Sequence, residues 1–157
     1  MAGSSLPSDT RQMQLNIASD PASVADVRRA IEQFSGRHGF DRASSDEIGL
    51  CVNEALANVI RHAYGGRTDR PIVVRAEYGD GTLRISIRDW GSGVDPGCTQ
   101  PQRRDPLEPG GLGMLCLREM MDDVRFVPQA DGMLLVLVRG LHRQSGREAP
   151  GDGMKQS

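Results

Sequence analysis

Three polar side chains, Glu54, Asn58 and His62, recur at intervals of four residues in the stretch CVNEALANVIRHAYGG, Cys51 to Gly66. The apolar residues between them predict a helix, and residues four apart lie on one side of a helix. An amide oxygen such as that of Asn58 is a hard, neutral ligand for Mg²⁺, and a carboxylate beside it can accept a proton from a hydroxyl. The pattern indicates a metal ligand and a general base, but Glu-x-x-x-Asn alone is equally typical of a solvated helix face. For His62 we expect a structural role, because a basic side chain suits a helix C-terminus.

A second candidate site follows a predicted strand, in the segment RDWGSGVDP. Asp89 ends the strand, and Gly91 and Gly93 leave bare backbone beside it. A flat base could approach this backbone while the carboxylate accepts a hydrogen bond from an exocyclic amine such as that of adenine. Glycines also punctuate ordinary loops, so this motif counts only together with others.

A third candidate site lies in the segment PGGLGMLCLREM, where Gly110, Gly111 and Gly113 precede a predicted helix. The free N–H groups and the positive end of a helix N-terminus can bind an anion such as phosphate. No Gly-Lys-Ser/Thr follows, which excludes a Walker P-loop. A glycine-rich entry to a helix without any ligand is the alternative interpretation.

The elements that must carry these residues can be predicted from hydrophobic periodicity and turn residues. Met13–Ala18 alternates apolar and polar residues as a strand does. Asp20 as N-cap and Pro21 in the first turn begin a first helix, which Gly36 or Gly39 ends.

A second helix is expected to begin with a capping box formed by Ser44 and Glu47 and to run to about Ala63. Two hairpins and one more helix follow. The first hairpin has strands Ile72–Tyr78 and Thr82–Asp89, the segment Gly110–Met121 is a glycine-rich turn running into a helix, and the second hairpin turns near Asp131–Gly132. The order predicts an α+β fold, a two-layer α/β sandwich with a mixed, mostly antiparallel sheet and helices on one face. The domain is expected to span residues 13–140, between a disordered N-terminus, 1–12, and a disordered polar tail, 141–157.

The composition narrows the class of protein. The 157 residues suit one domain, and a formal net charge of −2 gives no overall field that would attract nucleic acid or an anionic membrane. Aromatic residues make up 4 %, too few for base-stacking platforms. Cys51, Cys98 and Cys116 fit no zinc spacing, and no apolar run has the length of a membrane span. We therefore expect a cytoplasmic protein that binds neither nucleic acid nor a membrane directly.

The three motifs follow one another in a specific order: a helix with Glu-x-x-x-Asn, a strand ending in Asp-x-Gly-x-Gly, a long loop, and Gly-x-Gly leading into a helix. This order resembles the GHKL (Bergerat) ATP-binding fold that histidine kinases, gyrase and MutL share. NEALANVIRHAY and GGLGMLCLREMMDDVRF are similar to the N-box and the last glycine box of bacterial anti-sigma-factor serine kinases of partner-switching systems. The resemblance extends from about Met13 to Arg139.

The resemblance implies ATP and Mg²⁺ as cofactors and assigns roles to the candidate residues. Asn58 is expected to bind the metal, Glu54 to act as the general base, and Asp89 to receive the adenine amine. Gly91 and Gly93 would line the base pocket. Gly111 and Gly113 would let backbone approach the phosphates.

The long loop would form a lid over the nucleotide in such a protein. The loop runs from Gly91 to Pro109, and its segment Cys98–Pro109 would be the lid. This segment carries Arg103 and Arg104, which could meet the γ-phosphate or remain solvated charges. One departure concerns the last turn, where many GHKL proteins carry Gly-Thr and this chain reads Asp131-Gly132-Met133. Without that hydroxyl, nucleotide affinity would change more than the fold.

By resemblance, the leading hypothesis is a protein-serine kinase that phosphorylates a small STAS-type anti-sigma-factor antagonist and also sequesters a sigma factor. The alternative is a nucleotide-gated binding module of the same kind of circuit, which captures its partner without phosphotransfer. Glu54 beside Asn58 favours the kinase, because a binder needs no general base. A detached histidine-kinase ATPase domain is a third interpretation, disfavoured because the chain shows no phosphoacceptor-histidine domain. The family often dimerises, so a homodimer is left open.

Overall fold

In a computed structural model of the chain, the structure describes residues 11–91 and 117–141. These residues form strands, α-helices and one π-helical turn. In chain order the elements are β1 Gln12–Ala18, α1 Pro21–Arg37, α2 Arg42–Asn58, the π turn Val59–Ala63, β2 Pro71–Gly79, β3 Thr82–Asp89, β4 Asp123–Gln129 and β5 Gly132–Gly140. Residues 117–120 are also helical, within the span where a third helix was predicted; its glycine-rich start lies outside the described residues.

The sheet has the strand order β1-β2-β3-β5-β4. Each of the four described pairings is antiparallel, so the described sheet is antiparallel throughout, whereas the sequence predicted a mixed, mostly antiparallel sheet. Both hairpins form as predicted. The first turns through Asp80 and Gly81, which both have positive φ (51° and 73°), the geometry that suits a two-residue hairpin turn.

The core lies between one face of the sheet and the two helices. On the central strands alternate residues are fully or almost fully buried, and they are Ile72, Val74, Ala76, Leu83, Ile85 and Ile87. Helix α1 buries Val27, Ile31 and Phe34 against them, and α2 buries Ile48, Val52 and Leu56. Each of the buried Val, Leu, Ile and Phe side chains stabilises the fold by about 1.5–3 kcal/mol relative to exposure. The predicted two-layer α+β sandwich is confirmed.

The start of α1 agrees with the prediction, and the start of α2 does not. Asp20 caps α1, with its carboxylate accepting a 2.9 Å hydrogen bond from the Ala22 N–H, and Pro21 follows as predicted. The predicted capping box of α2 is wrong, because Asp41 is the N-cap and accepts a 2.8 Å hydrogen bond from the N–H of Ser44.

A buried arginine explains why the supposed capping box has another role. Arg139 on β5 is 1 % exposed. Its guanidinium donates to the Ser44 hydroxyl at 3.2 Å and to the Met120 carbonyl at 2.7 Å, and it pairs with Glu47 at 3.1 Å. Both residues of the Ser-x-x-Glu pattern are therefore directed at this cation in the core. The arrangement joins the sheet, the start of α2 and the helical residues 117–120.

Within the described residues, no helix combines the length and the apolar character that crossing a membrane requires. The predicted disordered segments fall almost entirely on residues 1–10 and 142–157, which lie outside the described residues.

Candidate functional site

The last turns of α2 present the two residues predicted to do chemistry. Glu54 and Asn58 are both half-buried, whereas Ala55 and Leu56 between them are fully buried in the core. Residues four apart in an α-helix project to the same side, so both side chains extend from one side of α2 at the edge of the core. The helix predicted for this pair is observed, and the chemical roles of the two residues stay predictions.

Directly after Asn58 the helix widens into a π turn. The N–H of Tyr64 donates to the carbonyl of Val59 at 3.0 Å, five residues back, and the N–H of Gly66 donates to Ile60 at 2.7 Å. Such single π turns are rare in proteins, and those that occur often lie at functional sites. Because a π turn takes more residues per revolution, the predicted polar row is regular only as far as Asn58. His62 lies in the wider turn, and its side chain is exposed.

Asp89, the last residue of β3, is a buried carboxylate with 3 % of its surface exposed. Its Oδ1 accepts a 2.9 Å hydrogen bond from the N–H of Gly91. Burial raises the pKa of Asp89 above its ordinary value, and the Gly91 hydrogen bond, the charge of Arg88 and a hydrogen bond from the Met133 backbone offset part of this effect. Perturbed carboxylates in such places are candidates for functional sites.

Two glycine positions near Asp89 have no room for a side chain of their own. A Cβ atom on Gly91 would overlap the carbonyl oxygen of Ala63 and lie 2.8 Å from the Ala63 Cβ. A Cβ atom on Gly132 would overlap the Asp89 carbonyl oxygen and lie 2.7 Å from the Cα of Trp90. Gly91 thus packs the end of β3 against the π turn, a reason for this glycine that the sequence did not show. Its predicted role in lining a base pocket stays a prediction.

Tyr64 joins the helical side of the site to the sheet. Its hydroxyl donates to the Pro71 carbonyl at 2.6 Å and accepts from the N–H of Trp90 at 2.7 Å. Sequence reasoning missed this residue, although it follows His62 and Ala63 in the N-box-like segment. A tyrosine at the end of an apolar helix, directly before two glycines, is the signal that could have indicated a buried ring with a bonded hydroxyl.

Arg88 makes contacts on the other side of the end of β3. Its guanidinium pairs with the Asp131 carboxylate at 2.5 Å, donates to the Asp89 carbonyl, and lies 4.4 Å from the centre of the Trp90 ring. The hydrogen bond from Arg88 lowers the pKa of Asp131. The turn between β4 and β5 is therefore tied to the residues on both sides of Asp89.

A basic hollow lies beside this strand end. It has a volume of about 430 Å³ and is lined by His62, Ala63, Tyr64, Gly65, Arg67, Arg70, Trp90 and Gly91. Ser19, fully buried, fixes the loop that forms one wall. Its hydroxyl donates to the Arg67 carbonyl at 2.6 Å and accepts from the Arg70 N–H at 3.1 Å. The hollow adjoins Asp89 through its neighbours Trp90 and Gly91.

The described residues could bind Mg²⁺ only if phosphate and water supplied most of its ligands. In the described ranges, no three or more His, Cys, Asp or Glu side chains come together as a protein-only metal site would need. Asn58 offers a neutral oxygen ligand, and Mg²⁺ usually keeps several waters and takes substrate phosphates. Gly93, Gly111, Gly113, the lid Cys98–Pro109 and its two arginines lie outside the described residues, so their predicted roles stay predictions.

Comparison with known proteins adds a family match. The model of the family described as "Histidine kinase-like ATPase domain" matches residues 17–139. The chain is similar to the serine-protein kinase RsbW of Listeria innocua, with 25 % identity over 146 residues, which cover 87 % of this chain and 92 % of the relative. RsbW of Bacillus velezensis is 24 % identical over 138 residues, covering 83 % and 86 %.

Two solved structures show the same fold. The RsbU and RsbW domains of Rv1364c from Mycobacterium tuberculosis match with a TM-score of 0.62 and 20 % identity, over 83 % of this chain and 32 % of that longer chain. The SiaB–SiaC complex from Pseudomonas aeruginosa matches with a TM-score of 0.59 and 12 % identity, over 82 % and 89 % of the two chains. The family match and these relatives confirm the resemblance that the three motifs indicated.

Proposed function

Because this chain belongs to the histidine kinase-like ATPase domain family, we propose that it is an ATP- and Mg²⁺-dependent protein-serine kinase of a partner-switching circuit. Its substrate would be a small STAS-type anti-sigma-factor antagonist, and its second partner a sigma factor that it sequesters. Relatives named serine-protein kinase, at 24–25 % identity over most of the chain, support the reaction class. A homodimer and a cytoplasmic location are part of the same proposal.

The observation that carries the proposal is the buried carboxylate of Asp89. A carboxylate with 3 % exposure at a strand end is costly to keep ionised. Here one oxygen is fixed by the Gly91 N–H at 2.9 Å, and the strand end packs directly against the π turn that follows Asn58. A polar ligand group that donates to the carboxylate would offset the cost. The exocyclic amine of adenine is such a group, and the carbonyl of guanine at that position is not.

The roles that we propose for the chain's own residues are those that the family resemblance implies, and their positions are compatible with them. Glu54 would accept the proton of the attacking serine hydroxyl, and the adjacent Asn58 amide would hold Mg²⁺, which offsets the charge of the phosphates when it is bound. The serine oxygen forms a bond to the γ-phosphorus while the bond to the β–γ bridging oxygen breaks, and ADP leaves with that electron pair. Asp89 would hold the base, so that the phosphates extend towards Asn58.

The test is phosphate transfer from labelled ATP to candidate antagonist domains from the same host, each carrying an exposed serine. Glu54→Gln should bind ATP as well as the wild type but transfer phosphate at least ~10²-fold more slowly, the scale of a positioned general base. Glu77→Gln is the matched control, because Glu77 is exposed on β2. Full activity in Glu54→Gln would remove the general-base role.

The metal ligand is tested in the same assay. Asn58→Ala should lose both the transfer and the Mg²⁺ dependence of nucleotide binding, whereas Asn16→Ala, an exposed change on β1, should keep them. Wild-type protein that binds ATP and its partner yet never labels the partner would contradict the kinase and leave the nucleotide-gated binding module.

A further inference from the structure

We infer that Tyr64 is a positioning residue for nucleotide selection: its hydroxyl is inserted between β2 and β3 and fixes the direction of the Asp89 carboxylate. The inference rests on the proposed function, because it concerns how the proposed base-reading group is held. It adds a residue to the site to which neither the sequence motifs nor the family resemblance assigned a role.

The strand register shows what the hydroxyl replaces. The last described pair of the β2–β3 ladder is Ile72 with Asp89, so the next opposed pair would be Pro71 with Trp90. The Arg70 carbonyl accepts from Ser19 on the β1 side at 2.7 Å. Because successive residues of a strand point their backbone groups to opposite sides, the Pro71 carbonyl points towards β3. It faces the position where the N–H of Trp90 would normally meet it.

The Tyr64 hydroxyl occupies that position. It donates to the Pro71 carbonyl at 2.6 Å and accepts from the Trp90 N–H at 2.7 Å, so one direct hydrogen bond between the strands is replaced by two through a side chain. The strands are thereby spread apart at this end. The chain after Asp89 leaves the sheet at Trp90, and this departure lets the Gly91 N–H turn back to Oδ1 of Asp89 at 2.9 Å.

The hydroxyl cannot be lost without consequence for the carboxylate. Tyr64 is 7 % exposed, so without its oxygen the Trp90 N–H and the Pro71 carbonyl would both lack the partner that each has in this structure. The direct bond between the strands would then be favoured, which pulls Trp90 back towards β2. The turn that aims Oδ1 of Asp89 at Gly91 would have to change with it.

Tyr64 also fixes the distance between the two ends of the proposed nucleotide site. It is the residue directly after the π turn that begins behind Asn58. Its hydroxyl bonds to the residue directly after Asp89. The proposed metal ligand and the proposed base-reading group are therefore joined by one short helical segment and one hydrogen bond.

The experiment compares Tyr64→Phe with Tyr78→Phe, which changes the other of the two tyrosines in the chain. Tyr78 lies at the far end of the same hairpin, with its ring stacked on His38 at 4.8 Å. Calorimetric titration with ATP and with inosine triphosphate measures the selection directly, because inosine carries a carbonyl where adenine carries the amine. We expect the wild type and Tyr78→Phe to prefer ATP by about tenfold or more, the scale of one hydrogen bond to a charged group.

For Tyr64→Phe we expect ATP affinity to fall by about fivefold or more while the affinity for inosine triphosphate changes by less than about twofold. A residue that only supported the fold would lower both affinities together or reduce the binding-competent fraction, so an unchanged preference in Tyr64→Phe overturns the inference. A wild type that binds ATP and inosine triphosphate equally would instead overturn the base-reading role of Asp89, and a wild type that binds neither would overturn the proposed function. In both cases the inference falls too.

A second measurement needs neither a nucleotide nor a folded variant. In the wild-type protein without ligand, the Trp90 amide should exchange its hydrogen slowly, because the Tyr64 hydroxyl accepts its hydrogen bond. Exchange as fast as that of the amide of Thr68, an exposed residue in the loop before β2, would contradict the insertion. Where Tyr64→Phe folds, the fluorescence of the single tryptophan should shift relative to wild type, and Tyr78→Phe should leave it unchanged.

Discussion

Asp89 and Gly132 approach each other so closely that a Cβ atom on Gly132 would overlap the Asp89 carbonyl oxygen. Beside them the N–H of Gly91 holds Oδ1 of Asp89 at 2.9 Å. The backbone of Met133 on β5 also hydrogen-bonds to this carboxylate, so the acid is held by backbone groups from β5 and from its own strand end.

Asp89→Asn should separate binding from stability. The amide brings an NH₂ group and removes the charge that strengthens a hydrogen bond from an amine, so we expect ATP affinity to fall by about tenfold or more. The unfolding free energy of the ligand-free protein should not fall, because a costly buried charge is removed. Calorimetric titration and urea denaturation measure the two quantities.

Asp26→Asn, an exposed change on α1, is the control for Asp89→Asn. It should alter neither quantity. A variant at Asp89 that keeps wild-type affinity would show that this carboxylate does not contact the nucleotide.

The raised pKa of Asp89 predicts a dependence on pH. A carboxyl whose pKa is higher in the folded than in the unfolded protein contributes stability below the unfolded pKa, and this contribution is lost as pH rises through the folded pKa. We therefore compare the unfolding free energies of Asp89→Asn and of the wild type. The value for the variant minus that for the wild type should grow as pH rises from the unfolded-state pKa to the folded-state pKa of Asp89. Denaturation at a series of pH values checks it, and a difference that stays constant or shrinks would contradict the direction of the shift.

Gly91→Ala should damage both the fold and the site. The added Cβ would lie 2.8 Å from the Ala63 Cβ and would overlap the Ala63 carbonyl, an overpacking that typically costs about 1–3 kcal/mol. Since the same residue bonds Asp89, ATP affinity should fall as well. Gly79→Ala is the matched control, because nothing lies within 4 Å of its added Cβ. Equal stabilities of the two variants would mean that β3 does not pack on the π turn as described.

Arg139→Ala should be strongly destabilising. It removes a cation that is 1 % exposed and is bonded to Ser44, Glu47 and Met120. Breaking a buried ion pair from one side typically costs about 3–5 kcal/mol. Arg42→Ala, which loses a 3.8 Å pair between two exposed side chains, should cost less than about 1 kcal/mol. Guanidinium denaturation measures both, and a similar small loss in the two variants would contradict the proposed anchoring of α2.

Local patterns predicted the elements well where apolar spacing and turn residues agree. The strand periodicity around Ile72–Tyr78 and the Asp20–Pro21 helix start are both observed in the structure. The Ser44–Glu47 capping box failed because the local pattern could not show that Arg139, distant in sequence, would take both side chains. Similarly, the periodicity that indicated one helix as far as Ala63 does not distinguish an α-helix from a π turn.

For the candidate site, the sequence indicated which residues could do chemistry, but not which residues they would contact in the folded protein. The sequence indicated Glu54, Asn58 and Asp89. The structure brings Gly91, just after the end of β3, against Ala63 of the π turn that follows Asn58. The Tyr64 bridge could not be predicted, because it depends on where the end of one helix meets the ends of two strands. The same holds for Arg88, whose contacts to Asp131 and Trp90 require the order of strands in the sheet.

The most direct measurement is calorimetric titration of the wild-type protein with ATP in the presence and absence of Mg²⁺. We expect a micromolar dissociation constant with Mg²⁺, about −7 to −8 kcal/mol. We also expect weaker binding when the metal is chelated, and a melting temperature that rises with excess ATP. Absence of binding at millimolar ATP and Mg²⁺ would contradict the nucleotide site at Asn58 and Asp89, and with it the proposed kinase.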